Sequence, residues 1–353
     1  MFVMSIVLTI FYFIIVLAIV VFVHEYGHFY VAKKFGVKIE EFAIGMGKKI
    51  FSLKDSNGVL WKICCLPIGG YVKMYGDDNA TSFGGYSDNP TKEELKYALI
   101  YKHPLKKTAV AFAGPFMNFV LAVMLFFAVF SFHGKPVLEP VIGEVLKNSY
   151  AEKAGVKSGD RILFINNHKI STFNDIRFQL QYSDSNTINI DILRGKKNLK
   201  LKTNYKKGDI FGVKIDKVKH KKVSISEAAK ESFSLTIEIT KKTIKAMSNI
   251  ILHQRGLNGI GGPIAIAKES AKAGNEGIWA FLYFIALISV SLGALNLLPI
   301  PLLDGGHIFV NITEFITRRR FSNFAYKIFV CIGIAFIALL MCIGFVNDLF
   351  INR

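Results

Sequence analysis

Cysteine and acidic residues are both scarce in this chain. Four cysteines occur in 353 residues, and 26 Asp and Glu stand against 44 Lys and Arg. Two cysteines are adjacent (Cys64 and Cys65) and two lie in an apolar run (Cys331 and Cys342). This number and placement exclude a disulfide framework and favour small apolar filling over metal binding.

Charge is absent from the first apolar run, Phe2 to Val23. The run also lacks the early positive region, the short core and the small-residue cleavage site of a secretory signal peptide. We therefore predict that this segment is retained in the protein as a helix.

Apolar residues make up 52% of the chain and are concentrated in four long runs. Runs of about 18 or more apolar residues are typical of membrane-spanning helices. We predict an α-helical, multi-pass integral membrane protein with four transmembrane helices, located in residues 1–35, 105–133, 278–317 and 323–353.

The segment between the first two runs, residues 36–104, is polar and rich in Lys. Within it, Ser56-Asn57-Gly58 separates two stretches rich in apolar residues, which predicts a β-hairpin. Residues 77–92 are rich in Gly, Asp and Asn and predict a loop.

Two further segments follow the second run. Residues 134–222 show the alternation of β-strands, and Ala154 to Asp160 resembles the helix and turn before a strand of a PDZ domain. Another small β-rich domain remains the alternative. In residues 223–277, apolar positions every three or four residues predict an amphipathic helix, followed by a Gly-rich connector at 259–262.

The net charge of +18 raises the question of a nucleic-acid partner. Much of the basic charge flanks the apolar runs and no nucleic-acid-binding module is recognisable, so we predict membrane lipid as its partner and no nucleic acid. Lys33 and Lys34 follow the first run, and Arg318 to Arg320 link the last two. The positive-inside rule places these residues in the cytoplasm, and the N-terminus and residues 134–222 outside.

The segment His24-Glu25-Tyr26-Gly27-His28 fits the pattern His-Glu-x-x-His. On a helix, His24 and His28 share one face, where both imidazoles can hold one Zn²⁺, and Glu25 can take a proton from a water on the metal. Ionisable groups in an apolar span are costly, which argues against two packing histidines with a chance Glu. Lys33 lies ~8–14 Å farther along the helix, which puts the site near the cytoplasmic side.

A catalytic zinc site has three protein ligands and one open position. Asp304, at the end of the third run, is the candidate third ligand, and a helix-end Asp near the interface is the alternative. Pro299 and Pro301 interrupt helical hydrogen bonding, and Gly305 and Gly306 allow unusual backbone angles. Broken helices at membrane depth are tolerated where they line a polar cavity.

Asn118 and Asn296 are polar residues within apolar runs, and two interpretations remain open. They bind substrate backbone or polarise the attacked carbonyl, or they form hydrogen bonds between helices. His307 as a fourth ligand would close the open position, so we expect it beside the ligands or at the membrane interface. The remaining histidines are predicted to be ordinary polar or loop residues: His103, His133, His168, His220 and His253.

Three motifs in this order resemble the site-2 protease family over nearly the whole chain. They are His24 to His28, Gly114-Pro115-x-x-Asn118 and Asn296-x-x-Pro299-x-Pro301-x-Leu303-Asp304-Gly305-Gly306. The stretch Pro67-Ile68-Gly69-Gly70-Tyr71-Val72-Lys73-Met74 resembles the bacterial RseP-like branch, whose members act on sigma-E-type regulators.

The resemblance implies an intramembrane zinc metalloprotease in a bacterial inner membrane. One Zn²⁺ would be held by His24, His28 and Asp304, with Glu25 as the general base. Substrates would be single-span membrane proteins, such as anti-sigma factors already trimmed by another protease, or signal-peptide remnants.

The resemblance also implies a membrane re-entrant β segment at about 42–75 and one inserted PDZ domain at about 137–205. We expect residues 59–74 to hold an unwound substrate by strand addition, with Gly69, Gly70, Tyr71 and Val72 as the candidate contacts. The PDZ-like domain would bind an extended or C-terminal peptide or gate access. The best-known members of this branch have two PDZ domains, whereas this chain has room for about one.

Three other functions fit parts of the pattern. A non-catalytic membrane adaptor with structural zinc would not need the base Glu25. A zinc transporter would need a relay of intramembrane polar sites, and one ligand cluster is visible. A membrane-tethered soluble zincin would carry its metal motif outside the apolar run, whereas this motif lies within it.

Overall fold

The computed structural model describes residues 2–76, 91–182, 187–206, 209, 211–216, 218–253 and 261–351. Most of the predicted loop at 77–92 and half of the Gly-rich patch at 259–262 lie outside the described residues. The chain forms two compact units, one of residues 1–129 and 229–353 and the other of residues 130–228.

Helices and strands follow one another in a mixed order along the chain. The helices are α1 (Phe2–Lys34), α2 (Lys92–Tyr97), α3 (Pro104–Phe132), α4 (Tyr150–Lys153), α5 (Phe173–Tyr182), α6 (Ile225–His253), α7 (Pro263–Glu276), α8 (Ile278–Asn296), α9 (Asp304–Thr317) and α10 (Asn323–Val346). The strands are β1 (Ile39–Lys54), β2 (Leu60–Met74), β3 (Lys135–Val137), β4 (Ile142–Val145), β5 (Arg161–Ile165), β6 (His168–Lys169), β7 (Thr187–Arg194), β8 (Lys197–Asn204), β9 (Val213–Ile215) and β10 (Lys219–Lys221). Single turns of 3₁₀ and π helix lie at Leu99–Tyr101 and Asn347–Ile351.

Four helices in the described part of the chain are long and apolar enough to cross a membrane. They are α1, α3, α8 and α10 with its π-helical extension, which confirms the predicted number. Large apolar side chains such as Phe11, Ile332 and Leu339 are exposed along them. Such surfaces would be costly in water and are expected where lipid is the solvent. The segment predicted as the third span, 278–317, contains two helices, α8 and α9, joined by a short loop.

Strands β1 and β2 pair in one antiparallel sheet, which has a run of residues at the outside on each of its two sides. The first part of β1, from Ile39 to Ile44, pairs on one side with Gly70–Met74 and on the other with Leu60–Ile63. The second part, from Lys49 to Lys54, pairs only with Leu60–Cys64. In the described pairing, Gly70–Met74 and Lys49–Lys54 are therefore the two outer runs of the sheet.

The unit of residues 130–228 has its own apolar core. Strands β5 to β8 form a sheet of order β6-β5-β7-β8, and β4 pairs with β9 and β10 with β3. The core gathers Ile162, Ile190 and Ile192 from the sheet and Ile176 from α5. Its buried carboxylate, Asp160, accepts two hydrogen bonds at 2.8 Å from the guanidinium of Arg194. This ion pair raises the pKa of Arg194. The PDZ-like fold predicted for this segment, with another small β-rich domain as the alternative, stays a prediction.

Helices α7 and α8 of the other unit pack against α1. Val16 and Val20 of α1 pack with Phe281 and Ile285 of α8. The buried carboxylate of Asp348 accepts hydrogen bonds at 2.9 to 3.1 Å from the backbone N–H groups of Gly262, Ile264 and Ala265. These donors are otherwise unsatisfied at the start of α7, so Asp348 caps this helix from another part of the chain.

Candidate metal centre

Helix α1 presents His24 and His28 on the same face, as expected for residues four apart. Their rings meet edge to face with centroids 4.8 Å apart, and the two Nε2 atoms lie 3.2 Å from each other. His28 Nδ1 lies 2.8 Å from the backbone oxygen of Val110 on α3. Because only a protonated Nδ1 can donate to this carbonyl, the Nε2 of neutral His28 keeps a free lone pair for a metal.

Asp304 reaches the two histidines from the first turn of α9. Its Oδ2 lies 3.1 Å from His24 Nε2, and its Oδ1 lies 3.3 Å from His28 Nε2. Oδ2 is buried and has no hydrogen bond of acceptable geometry among the described residues. The structure thus brings together the three ligands predicted from positions far apart in the sequence.

The loop between α8 and α9 fixes the position of Asp304. A side chain at Gly305 would overlap the backbone of Leu297 and Leu298, and one at Gly306 would overlap the backbone oxygen of Ile300. Neither glycine has a positive φ; the left-handed residue in this loop is Leu302, at φ 73°. The expectation that this glycine pair supplies unusual backbone angles is therefore wrong. The glycines are needed because the loop backbone lies directly against the first turn of α9.

A second close contact, at Gly114 of α3, makes room for the imidazoles. A Cβ at this position would overlap His28 Nε2 and lie 2.9 Å from His24 Cε1. At Gly27 of α1, a Cβ would overlap the backbone oxygen of Ala113. The two glycines allow α1 and α3 to approach closely. The sequence placed Gly114 in a motif but did not predict this role. The role depends on which helix packs against the imidazole rings.

The donor set fits zinc. The ligand atoms of His24, His28 and Asp304 lie within 4.8 Å of one another. Imidazole nitrogen and carboxylate oxygen are zinc ligands, and three protein ligands leave a fourth position open. Unprotonated nitrogens and a carboxylate repel one another at such short range, so a cation between them would stabilise the arrangement.

Glu25 lies beside this cluster on α1 and is partly buried. A Cβ at Gly70 of β2 would lie 2.9 Å from Glu25 Cγ and 2.8 Å from the backbone oxygen of Ala43. The absence of a side chain at Gly70 therefore lets the outer run of the sheet pass directly against the Glu25 side chain.

The other candidate contacts on β2 have different surroundings. Gly69 has a φ of 73°, a conformation that glycine adopts without strain. The hydroxyl of Tyr71 donates to Glu41 Oε2 at 3.0 Å. Val72 is 1% exposed and packs in a core cluster with Phe42. The side chains of Tyr71 and Val72 are thus engaged within the sheet and its core.

Both predicted asparagines contact His24. Asn118 Nδ2 lies 3.1 Å from His24 Nδ1, and Asn296 Nδ2 lies 3.4 Å from His24 Nε2. The backbone oxygen of Asn118 also accepts a hydrogen bond from Ser289 Oγ on α8, at 2.8 Å. Each asparagine thus joins elements that build the site. His307 is buried on α9, and its ring nitrogens do not belong to the group of three ligands.

The sequence matches known proteins along most of its length. The profile of Peptidase family M50 matches residues 12–340. A protein of Rickettsia conorii named "Putative zinc metalloprotease RC0203" is 35% identical over 96% of this chain and 97% of its own. Similarly named proteins of Clostridium acetobutylicum and Campylobacter jejuni are 34% and 35% identical, over 95% of this chain and 95% and 92% of their own lengths.

Proposed function

The chain belongs to Peptidase family M50, and from this premise we propose that it cuts peptide bonds within the transmembrane segments of single-span membrane proteins. It is an integral membrane protein and a zinc metalloprotease, like the relatives named above. The observation that supports intramembrane cleavage is the position of the ligands. His24 and His28 lie inside an apolar helix that qualifies as a membrane span.

We assign zinc to His24, His28 and Asp304, and the general base to Glu25. When bound, zinc acts as a Lewis acid and lowers the pKa of water toward neutrality. Glu25, one residue from His24 and beside Gly70, takes a proton from the attacking water. It then gives this proton to the nitrogen of the leaving amine as the peptide C–N bond breaks.

The outer run Gly70–Met74 is the proposed substrate-binding strand. A transmembrane helix hides its carbonyls in its own hydrogen bonds, so it must unwind before attack. Gly70–Met74 pairs with Ile39–Ile44 as an outer run of the sheet, and the unwound segment would bind along this run in the manner of strand addition. Since Gly70 lies against Glu25, a strand bound there would pass next to the general base.

Further assignments follow the same proposal. Residues 42–75 form a membrane re-entrant β segment, and residues 137–205 form a PDZ-like domain that binds peptide or gates access. The protein lies in a bacterial inner membrane, with the N-terminus and the PDZ-like domain outside and the active site near the cytoplasm. Substrates include trimmed anti-sigma factors or signal-peptide remnants.

The proposal is tested by cleavage of a tagged single-span substrate in liposomes. Glu25→Gln should retain stoichiometric zinc and lose cleavage by about 10²–10⁴-fold, because the base is removed and the ligands are kept. The matched control is Glu238→Gln, which removes an exposed carboxylate of α6 that is paired with Lys242. Equal cleavage by wild type and Glu25→Gln, at matched zinc, would contradict the assignment and favour an adaptor with structural zinc.

A further inference from the structure

A basic cavity lies between the start of α3 and the end of α9, away from the three metal ligands. Its volume is about 510 Å³. It is lined by Ile100, Tyr101, Lys102, His103, Pro104, Lys107, Glu314, Phe315, Arg318, Arg319 and Arg320. Both walls belong to the unit of residues 1–129 and 229–353.

One wall of the cavity is a buried ion pair. Lys107 Nζ lies 2.6 Å from Glu314 Oε2, and these side chains are 6% and 5% exposed. Glu314 Oε1 accepts a hydrogen bond from the backbone N–H of Phe321 at 3.1 Å. The single carboxylate of the cavity is therefore already neutralised and hydrogen-bonded.

The other charges of the cavity are all positive. Arg318, Arg319 and Arg320 are exposed, and Lys102 stands on the opposite wall. The guanidinium of Arg320 lies 6.0 Å from the ring centre of Tyr101. In the described part of the chain, no carboxylate forms an ion pair with Arg318 or Arg319. Four cations thus face a cavity whose only acid is already paired, which favours an anionic ligand.

Exposed apolar side chains lie in the lining of the basic cavity (Phe315) or within four residues of a lining residue in the chain (Leu105, Ile316 and Phe324). Phe315 is 45% exposed, Ile316 is 72% exposed, Phe324 is 75% exposed and Leu105 is 49% exposed. Helices α3 and α10, which qualify as membrane spans, begin here. Guanidinium groups beside an exposed apolar surface, at the start of two spans, match the boundary between lipid headgroups and acyl chains.

We propose that this cavity binds the phosphate of an anionic phospholipid headgroup. Arg318 to Arg320 and Lys102 hold the phosphate, since the planar guanidinium forms paired hydrogen bonds to phosphate oxygens. The acyl chains lie along Phe315, Ile316 and Phe324. Arg318, at φ 55°, ends α9 in a left-handed conformation and turns the three arginines toward the cavity. The proposal does not depend on the proteolytic function.

The test measures lipid retained by the full-length, zinc-loaded protein in detergent micelles, using native mass spectrometry. Phosphatidylglycerol and phosphatidylcholine are added at equal concentration. The wild type should retain phosphatidylglycerol preferentially. A variant with Arg318→Gln, Arg319→Gln and Arg320→Gln should bind it about 100-fold more weakly, given the attraction of each cation to anionic lipid.

A control variant and a second variant of the cavity complete the test. Lys196→Gln, Lys197→Gln and Lys200→Gln together remove the same charge from exposed positions at the β7–β8 turn, and should leave binding unchanged. Lys102→Gln alone, on the opposite wall, should weaken binding about fivefold. An equal loss in both triple variants would overturn the proposal, because the effect would then be net charge.

Competition with inorganic phosphate distinguishes a phospholipid headgroup from a soluble phosphate as the ligand of the cavity. If millimolar phosphate displaces phosphatidylglycerol completely and binds in the absence of lipid, the cavity is a site for a soluble phosphate and the lipid assignment is wrong. Retention of phosphatidylglycerol at that phosphate concentration supports the lipid, because only the lipid also gains from its acyl chains.

Discussion

Asn118 meets His24 on the side of the ring away from the other ligands, with Asn118 Nδ2 3.1 Å from His24 Nδ1. The other amide atom, Asn118 Oδ1, is buried and lacks a hydrogen-bond partner among the described residues. A zinc ligand needs an unprotonated Nε2, which places the proton of neutral His24 on Nδ1. Rotation of the amide by 180° lets Oδ1 accept a hydrogen bond from the Nδ1–H of His24, so that this N–H and Oδ1 are both satisfied in the zinc-bound form.

We therefore expect Asn118→Leu to weaken zinc binding by about 10–100-fold, the usual cost of losing a hydrogen bond behind a metal ligand. Asn118→Asp retains a hydrogen-bond acceptor for His24 Nδ1 and should lose much less zinc affinity. Zinc Kd is measured by competition with a chelator. A normal Kd with a lower thermal midpoint would instead identify a helix–helix hydrogen bond, and a normal Kd with a raised KM would identify a substrate contact.

Gly114→Ala should abolish stoichiometric zinc binding. The added Cβ overlaps His28 Nε2 and crowds His24 Cε1. Alanine favours a helix over glycine by about 1 kcal/mol, so α3 itself should not weaken. Zinc content by mass spectrometry and helical content by circular dichroism separate the two effects. Full zinc content in Gly114→Ala would contradict the close packing of α3 on the imidazoles.

Strand addition along the outer run Gly70–Met74 is tested with proline substitutions. Val72→Pro removes a backbone N–H from the outer run Gly70–Met74 and should reduce cleavage at least about tenfold while zinc content stays constant. Phe51→Pro makes the same change on the opposite outer run, Lys49–Lys54, and should reduce cleavage far less. Unchanged cleavage in Val72→Pro, or equal losses in both variants, would argue against strand addition along Gly70–Met74.

Asp348→Ala should lower the free energy of unfolding by about 1–2 kcal/mol, because three backbone N–H groups at the start of α7 lose their acceptor. Asp348→Asn keeps one acceptor oxygen, so its free energy of unfolding should lie between those of the wild type and Asp348→Ala. Thermal unfolding in detergent gives the measurement. Glu269→Ala, at an exposed position of α7, is the control and should change stability little. A loss no larger than that of the control would show that the cap contributes little.

Much of the site follows from local sequence alone. Residues four apart on a helix share a face, so His24 and His28 were predictable as a pair, with Glu25 adjacent. Four long apolar runs predict four membrane helices, because length and composition decide whether a helix can span a bilayer. The Asn57-Gly58 pair likewise predicts the hairpin between β1 and β2, since the connecting loop uses Gly58 at a φ of 84°, which glycine adopts without strain.

Tertiary structure decided what local pattern could not. Asp304 joins the histidines only because the loop after α8 folds onto Gly305 and Gly306, which are helical. The sequence suggested left-handed glycines there, and Leu302 has that conformation instead. Such contacts depend on backbone approach between segments distant in the chain.

The same reason explains the other unforeseen features. The sequence by itself determined the four apolar helices that are long enough to span a membrane, and the shared helix face of His24 and His28 with Glu25 adjacent, since each rests on the spacing of neighbouring residues. The bond from His28 to the backbone oxygen of Val110, the acceptor behind His24 and the cap at Asp348 were decided only by the packed chain. Each joins segments far apart in sequence, and a backbone carbonyl or N–H has no residue type by which a sequence could reveal it.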